Sequence, residues 1–172
     1  MERAYSYDTI IGKILITEEE DEITGLSVLS GGQELSEEDK KEDKKEDRKY
    51  EIAETKLIKE AARQFNEYLQ GDRKEFDLRI NPRGTEFQRK VWEALRAIPY
   101  GETRSYKQIA EAVGNDKASR AVGMANHNNP ILCIIPCHRV IGADGRLVGF
   151  GAGLPVKEHL LAIERSGNHK QE

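Results

Sequence analysis

Cysteine is nearly absent from this chain: Cys133 and Cys137 are the only two in 172 residues, and neither cysteine nor histidine precedes His127. If the run joining them is extended, their α carbons lie about 13 Å apart, beyond the roughly 7 Å that a disulfide spans. Both are therefore expected as free thiols. Long hydrophobic runs are also missing, with no window near the roughly 18 apolar residues of a membrane span. Residues 1–5 enter strand-like sequence without the apolar core of a secretory signal. The expectation is a cytoplasmic protein with no membrane partner. Apolar residues vanish altogether from 36 to 49, a stretch of seven acids and six bases after one serine. Such a run has nothing to bury, so a solvated loop without chemistry is expected there.

What remains is 37% hydrophobic and 34% charged with a net charge of -4, a globular composition that argues against a polyanionic partner only when read as a whole. Residues 1–80 hold 14 basic and 22 acidic side chains, whereas residues 81–172 hold 13 and 9. A basic second half is a modest electrostatic footprint for phosphates. With Asn81-Pro82-Arg83-Gly84 as the boundary, this predicts an N-terminal domain over 1–80 and a second domain over 81–172.

In the first domain, Ile14 to Thr17 and Ile23 to Leu29 flank an acidic turn and predict an antiparallel hairpin. Leu57, Ile58, Ala61, Ala62, Phe65 and Leu69 then mark a helix, with Gly71 at its C-terminal cap. The second domain is mainly helical. Thr85 with Gln88 and Ser105 with Gln108 are capping-box pairs that open two helices. Asp116 is expected to cap a third, with Ala118, Ala121, Val122 and Ala125 facing inward. The tight Gly114-Asn115 turn makes the last two a helix-turn-helix. A final helix is expected from about Pro155, ending before Gly167. The fold class is thus α+β: a small antiparallel sheet plus helix, then a helical domain of winged helix-turn-helix type.

Apolar residues 131–135 read as a buried strand that leads into Pro136-Cys137-His138-Arg139. Three uses of this cysteine and histidine are open. A metal could take Cys133, Cys137, His138 and His127, but their spacing is irregular for zinc, and no metal is expected. In a hydrolase the histidine would activate the thiol, yet neighbours on a strand point to opposite faces. Stoichiometric transfer of a group onto sulfur needs a thiolate and a positioned electrophile. Lowering a thiol from about 8.5 to about 7 gains only about sixteenfold in thiolate at neutral pH. Orientation, with effective molarities of about 10⁵ M or more, has to supply the rest.

Pro136-Cys137-His138-Arg139-Val140, preceded by Ser119-Arg120-Ala121-Val122-Gly123 and Asn129-Pro130, and followed by Gly145, Gly149, Gly153, Lys157 and Glu164, closely resembles the O6-alkylguanine-DNA alkyltransferases. The resemblance covers residues 85–166 strongly and the first 80 loosely. It implies irreversible transfer of an alkyl group from O6-alkylguanine, and less well from O4-alkylthymine, to Cys137, without a cofactor. By similarity His138 takes the thiol proton through a water, Glu164 orients the imidazole, and Asn129 holds the turn that carries the cysteine. Arg120 would fill the stack left by the flipped nucleotide. Tyr106 would crowd the target phosphate and lend its hydroxyl to the base. Ala118, Ala121 and Gly123 would admit the helix to the minor groove of double-stranded DNA, with Lys107 and Asn115 on the backbone. Val140, Phe150, Gly151 and Lys157 would line the base pocket.

Some members carry zinc in the N-terminal domain; the residues for it are missing here. Phe150-Gly151 stands where some relatives have Tyr-Ser, which removes hydroxyls from the pocket. Two other readings differ in one feature each. A non-catalytic damage sensor would lack the acceptor cysteine, and a helix-turn-helix regulator would leave Cys137, His138 and Glu164 as packing. A monomer is expected, because a damaged base presents no two-fold symmetry.

Overall fold

The computed structural model describes residues 1–29, 50–146 and 153–169. The charged stretch 36–49 and the pocket residues Phe150 and Gly151 lie outside them. Three strands, β1 (Arg3–Thr9), β2 (Gly12–Glu19) and β3 (Glu22–Val28), form an antiparallel meander, and β4 (Glu51–Ile52) joins its β1 edge in parallel. The sheet order is β3-β2-β1-β4, so the sheet is mixed rather than purely antiparallel. β4 follows the charged stretch and is only two residues long, which leaves no apolar alternation to read.

Helix α1 (Lys56–Leu69) lies on this sheet, with Thr55 accepting the Ile58 N–H at its start and Gly71 in a left-handed conformation (φ 81°) just past its end. Ile58, Ala61 and Phe65 meet Ile14, Ile16, Ile23 and Leu26 in one core, which continues into the helical part through Val91, Leu95, Val122 and Leu160. Helix α2 (Glu86–Arg96) and helix α3 (Tyr106–Ala112) both carry complete capping boxes, from Thr85/Gln88 and Ser105/Gln108. Trp92 is buried in α2, and its indole N–H donates to Ala125 O at 2.8 Å, tying α2 to helix α4 (Ser119–His127).

Helix α4 departs from expectation at its start. Its cap is Ala118, without a side-chain hydrogen bond, and Asp116 plays no part. Packing of Val122, Ala125 and Asn126 against α2 and α3 holds it instead. Ala121 is exposed rather than inward.

Residues 131–135 do not form a strand. Leu26 N–H donates to Pro130 O and Leu132 N–H to Leu26 O, both at 2.9 Å, so the segment clips onto the β3 edge. It then turns back, with Ile135 N–H on Ile131 O at 3.0 Å and Cys133 in a left-handed conformation (φ 68°). A 3-10 turn (Cys137–Arg139) follows and runs into β6 (Val140–Ile141), which pairs in parallel with β5 (Arg104–Ser105).

Helix α5 (Leu154–His169) continues through Gly167 instead of ending before it. A Cβ there would sit about 3.1 Å from Cε1 and Cζ of Tyr100, so the glycine serves close packing rather than termination.

Candidate active site around Cys137

Cys137 opens the 3-10 turn and is 3% exposed. Its N–H donates to Ile135 O at 2.8 Å. Asn129 braces the turn from one side: Nδ2 donates to Ile135 O at 2.8 Å, and Oδ1 accepts the Ile131 N–H at 2.9 Å. Asn126, buried in α4, donates from Nδ2 to Cys137 O at 3.3 Å. The helix that carries Arg120 on its outer face thus holds the cysteine backbone from its inner one. Burial pushes the Cys137 thiol up to about 11, against the opposing pull of the Asn129 amide and the Lys157 charge. The resting sulfur is a protected thiol, the opposite of a depressed thiolate.

His138 follows in the same turn, so the alternation of a strand does not apply to the pair. Its ring is fully buried, with Nε2 against Glu164 Oε2. On the opposite edge, Nδ1 has no hydrogen-bond partner among the described residues. Burial lowers its pKa below the ordinary value, with Glu164 pulling the other way. With the Nε2 proton assigned toward Glu164, the Nδ1 lone pair is the basic position.

Lys157 and Glu164 are seven residues apart on α5, hence on one helical face. Burial alone would raise the Glu164 carboxyl, but His138 and Arg139 outweigh it and hold it down to about 2. Arg139 donates from Nε to Oε1 at 2.8 Å and from Nη2 to Oε2 at 3.2 Å, and its Nη1 reaches Ile98 O at 2.7 Å. Gly101 N–H adds 3.0 Å to Oε1, and the Tyr68 hydroxyl 2.5 Å to Oε2. Lys157, fully buried, donates from Nζ to Val140 O at 2.5 Å; burial lowers its pKa.

The residues expected to meet a nucleic acid lie together around α3 and α4. Tyr106 begins α3, half-buried, with its ring 3.9 Å from where a Cβ on Gly123 would stand. Lys107, Asn115, Arg120 and Ala121 are exposed, whereas Ala118 and Gly123 are half-buried. His127 is exposed at the end of α4, away from the buried Cys133, Cys137 and His138.

Sequence reasoning gave no role to Arg139, Asn126, Gly101 or Tyr68. Tyr68 had a readable signal: it lies three residues beyond Phe65 on the buried stripe of α1, and a buried tyrosine needs a partner for its hydroxyl. Arg139 sits inside the motif, but nothing local says that its partner is 25 residues away.

Two family models match the chain. The DNA-binding domain of 6-O-methylguanine DNA methyltransferase matches residues 86–166, and the ribonuclease-like domain of the same proteins matches residues 3–82. A methylated-DNA–protein-cysteine methyltransferase of Methanosarcina acetivorans is 44% identical, the match covering 93% of this chain and 96% of that protein. The constitutive one of Bacillus subtilis is 47% identical over 92% of each. The crystal structure of Mycobacterium tuberculosis OGT in complex with DNA superposes with a TM-score of 0.80 at 39% identity, covering 96% of this chain and 93% of that one. With both halves matched and the buried Cys137-His138-Glu164 arrangement in place, the chain belongs to the 6-O-methylguanine DNA methyltransferase family.

Proposed function

We propose that this protein repairs DNA by direct reversal, moving the alkyl group of O6-alkylguanine onto Cys137 in a single, irreversible turnover. The observation that carries the reading is a buried thiol next to a histidine whose one nitrogen is committed to Glu164 and whose other has no partner among the described residues. Cys137 Sγ attacks the carbon bound to O6. The S–C bond forms as the C–O6 bond breaks, the bonding pair passes to O6, and the restored guanine takes up a proton. The thiol proton leaves through a water to His138 Nδ1, and the resulting imidazolium is stabilised by Glu164. Burial raises the resting thiol above its ordinary value, which favours proton removal together with binding of the base over removal before it.

Double-stranded DNA is the partner, engaged through the minor groove by α4, as its small residues and the exposed Arg120 suggest. Arg120 fills the gap in the stack, Tyr106 faces the flipped nucleotide, and Lys107 and Asn115 contact the backbone. Asn129 holds the cysteine turn. Lys157 fixes the Val140 carbonyl that reads the base edge, with Phe150 and Gly151 completing the pocket. In this division residues 81–172 bind DNA and carry the chemistry, while residues 1–80 brace the active-site turn. The protein acts as a monomer in the cytoplasm, without a cofactor. Transfer of a labelled methyl group from duplex O6-methylguanine to the protein tests the reading. Label on the wild type and none on Cys137→Ser supports it; equal label on both contradicts it.

A further inference from the structure

Tyr68 belongs to the sheet-and-helix half, yet its hydroxyl lies in the middle of the His138–Glu164 contact. It donates to Glu164 Oε2 at 2.5 Å and lies 3.2 Å from His138 Nε2. The side chain is fully buried at the C-terminal end of α1, with its ring against Phe76 at 5.4 Å and Tyr100 at 6.3 Å between centroids. We propose that Tyr68 is a positioning residue for the alkyl transfer: its hydroxyl and the His138 Nε2–H share Glu164 Oε2, which fixes the imidazole with its Nδ1 lone pair toward Cys137. This rests on His138 serving as the base for Cys137.

Geometry and charge both lead there. A carboxylate oxygen accepts several donors, and here Oε2 receives Tyr68, His138 and Arg139 Nη2, while Oε1 receives Arg139 Nε and Gly101 N. The Tyr68 phenol keeps its own proton at neutral pH, since burial raises it well above its ordinary value, and the proton that His138 gains goes to Nδ1 on the far edge of the ring. Tyr68 therefore holds Oε2 in place without competing for the proton that His138 acquires. It also draws charge from Glu164, which keeps the imidazole less basic than a freer carboxylate would make it. The other groups that act on His138 are Arg139 in its own turn and Lys157 on α5, with Tyr100 behind Tyr68. The Tyr100 hydroxyl is directed to Ile163 O at 3.5 Å.

The experiment measures the rate of Cys137 alkylation by the free base O6-benzylguanine across pH, in the wild type, Tyr68→Phe, Phe76→Leu and Glu164→Gln, and in the Tyr68→Phe/Glu164→Gln pair. Tyr68→Phe should slow alkylation about tenfold at neutral pH and move the acid limb of the profile upward by about half a pH unit or more. Phe76→Leu, which loosens the same ring without touching the hydroxyl, should leave the limb in place. In the Glu164→Gln background, Tyr68→Phe should add nothing. A rate loss in Tyr68→Phe with the limb unmoved, or a full further loss in the pair, would overturn the proposal and leave Tyr68 as packing. No alkylation of the wild type would overturn the His138–Cys137 reading and this one with it. If Tyr68→Phe does not fold, the wild type decides by NMR: a protected Tyr68 hydroxyl proton supports the role, and one in free exchange overturns it.

Discussion

Arg139 grips the Glu164 carboxylate with two nitrogens, Nε on Oε1 at 2.8 Å and Nη2 on Oε2 at 3.2 Å, in a place where Glu164 is 1% and Arg139 7% exposed. A guanidinium that pairs in this way fixes the carboxylate plane as well as its charge. Its third nitrogen, Nη1, donates to Ile98 O, so the pair ties the cysteine turn to the segment just past α2.

Removing Arg139 would leave Glu164 as a buried, undercompensated charge. Arg139→Ala should cost roughly 3–5 kcal/mol, lowering Tm by roughly 10 °C for a domain of this size. Thermal unfolding followed by circular dichroism checks it. A loss below about 1 kcal/mol would mean that Gly101, Tyr68 and His138 satisfy Glu164 unaided.

Asn129→Ala deletes two side-chain hydrogen bonds that brace the 131–135 turn, at 2.8 and 2.9 Å, and leaves its backbone bond from Ile135 N–H to Ile131 O. The expected loss is about 1–3 kcal/mol. Because the Asn129 amide pulls the Cys137 thiol down, the variant should also alkylate more slowly than its stability loss explains. Rates with O6-benzylguanine at a temperature well below unfolding separate the two effects.

The thiol of Cys137 gives a signed pH dependence. Its folded value, near 11, lies above the ordinary value near 9, so the folded state holds the proton longer than the unfolded chain. Stability from this group is complete below about pH 8.5 and is lost as pH rises through about 11, because the unfolded state binds fewer protons there. Denaturant unfolding between pH 8 and 11 should show stability falling more steeply in the wild type than in Cys137→Ser. At pH 7 a value near 11 leaves a folded thiolate fraction of about 10⁻⁴, against about 1% for the ordinary value near 9. Iodoacetamide should therefore label the native thiol far more slowly than the denatured one.

Arg120 is exposed on α4, whereas the buried Cys137 meets that helix at Asn126. Arg120→Ala should reduce repair of duplex DNA by about tenfold or more, with the few kcal/mol of base extrusion left uncompensated, while its rate with free O6-benzylguanine stays within about twofold. Comparing the two substrates in one assay decides the matter. Equal losses on both would assign Arg120 to folding rather than to flipping.

Much of the candidate site's arrangement is legible because its residues lie close together in the chain. Cys137 and His138 are adjacent, Lys157 and Glu164 are two helical turns apart, and the capping boxes at Thr85 and Ser105 announce α2 and α3 from four residues each. What escaped depends on distant partners. Ala118 caps α4 without a side-chain bond because packing on α2 outweighs the local signal from Asp116. The apolar run 131–135 has strand composition, but its N–H and C=O groups are taken by Leu26 and by its own tight turn, so it cannot stay extended. Gly167 looks like a helix stop and is instead the space that Tyr100 fills. Tyr68 lies 70 residues from His138, and only the folded α1 brings its hydroxyl to Glu164.

The most direct measurement is the mass of the intact protein and of its peptides after equimolar mixing with duplex DNA containing O6-methylguanine. A gain of one CH2 is expected, saturating at one per chain and confined to the peptide that holds Cys137. Tight binding to the lesion with no gain in mass, or a gain on Cys133 instead, would contradict it.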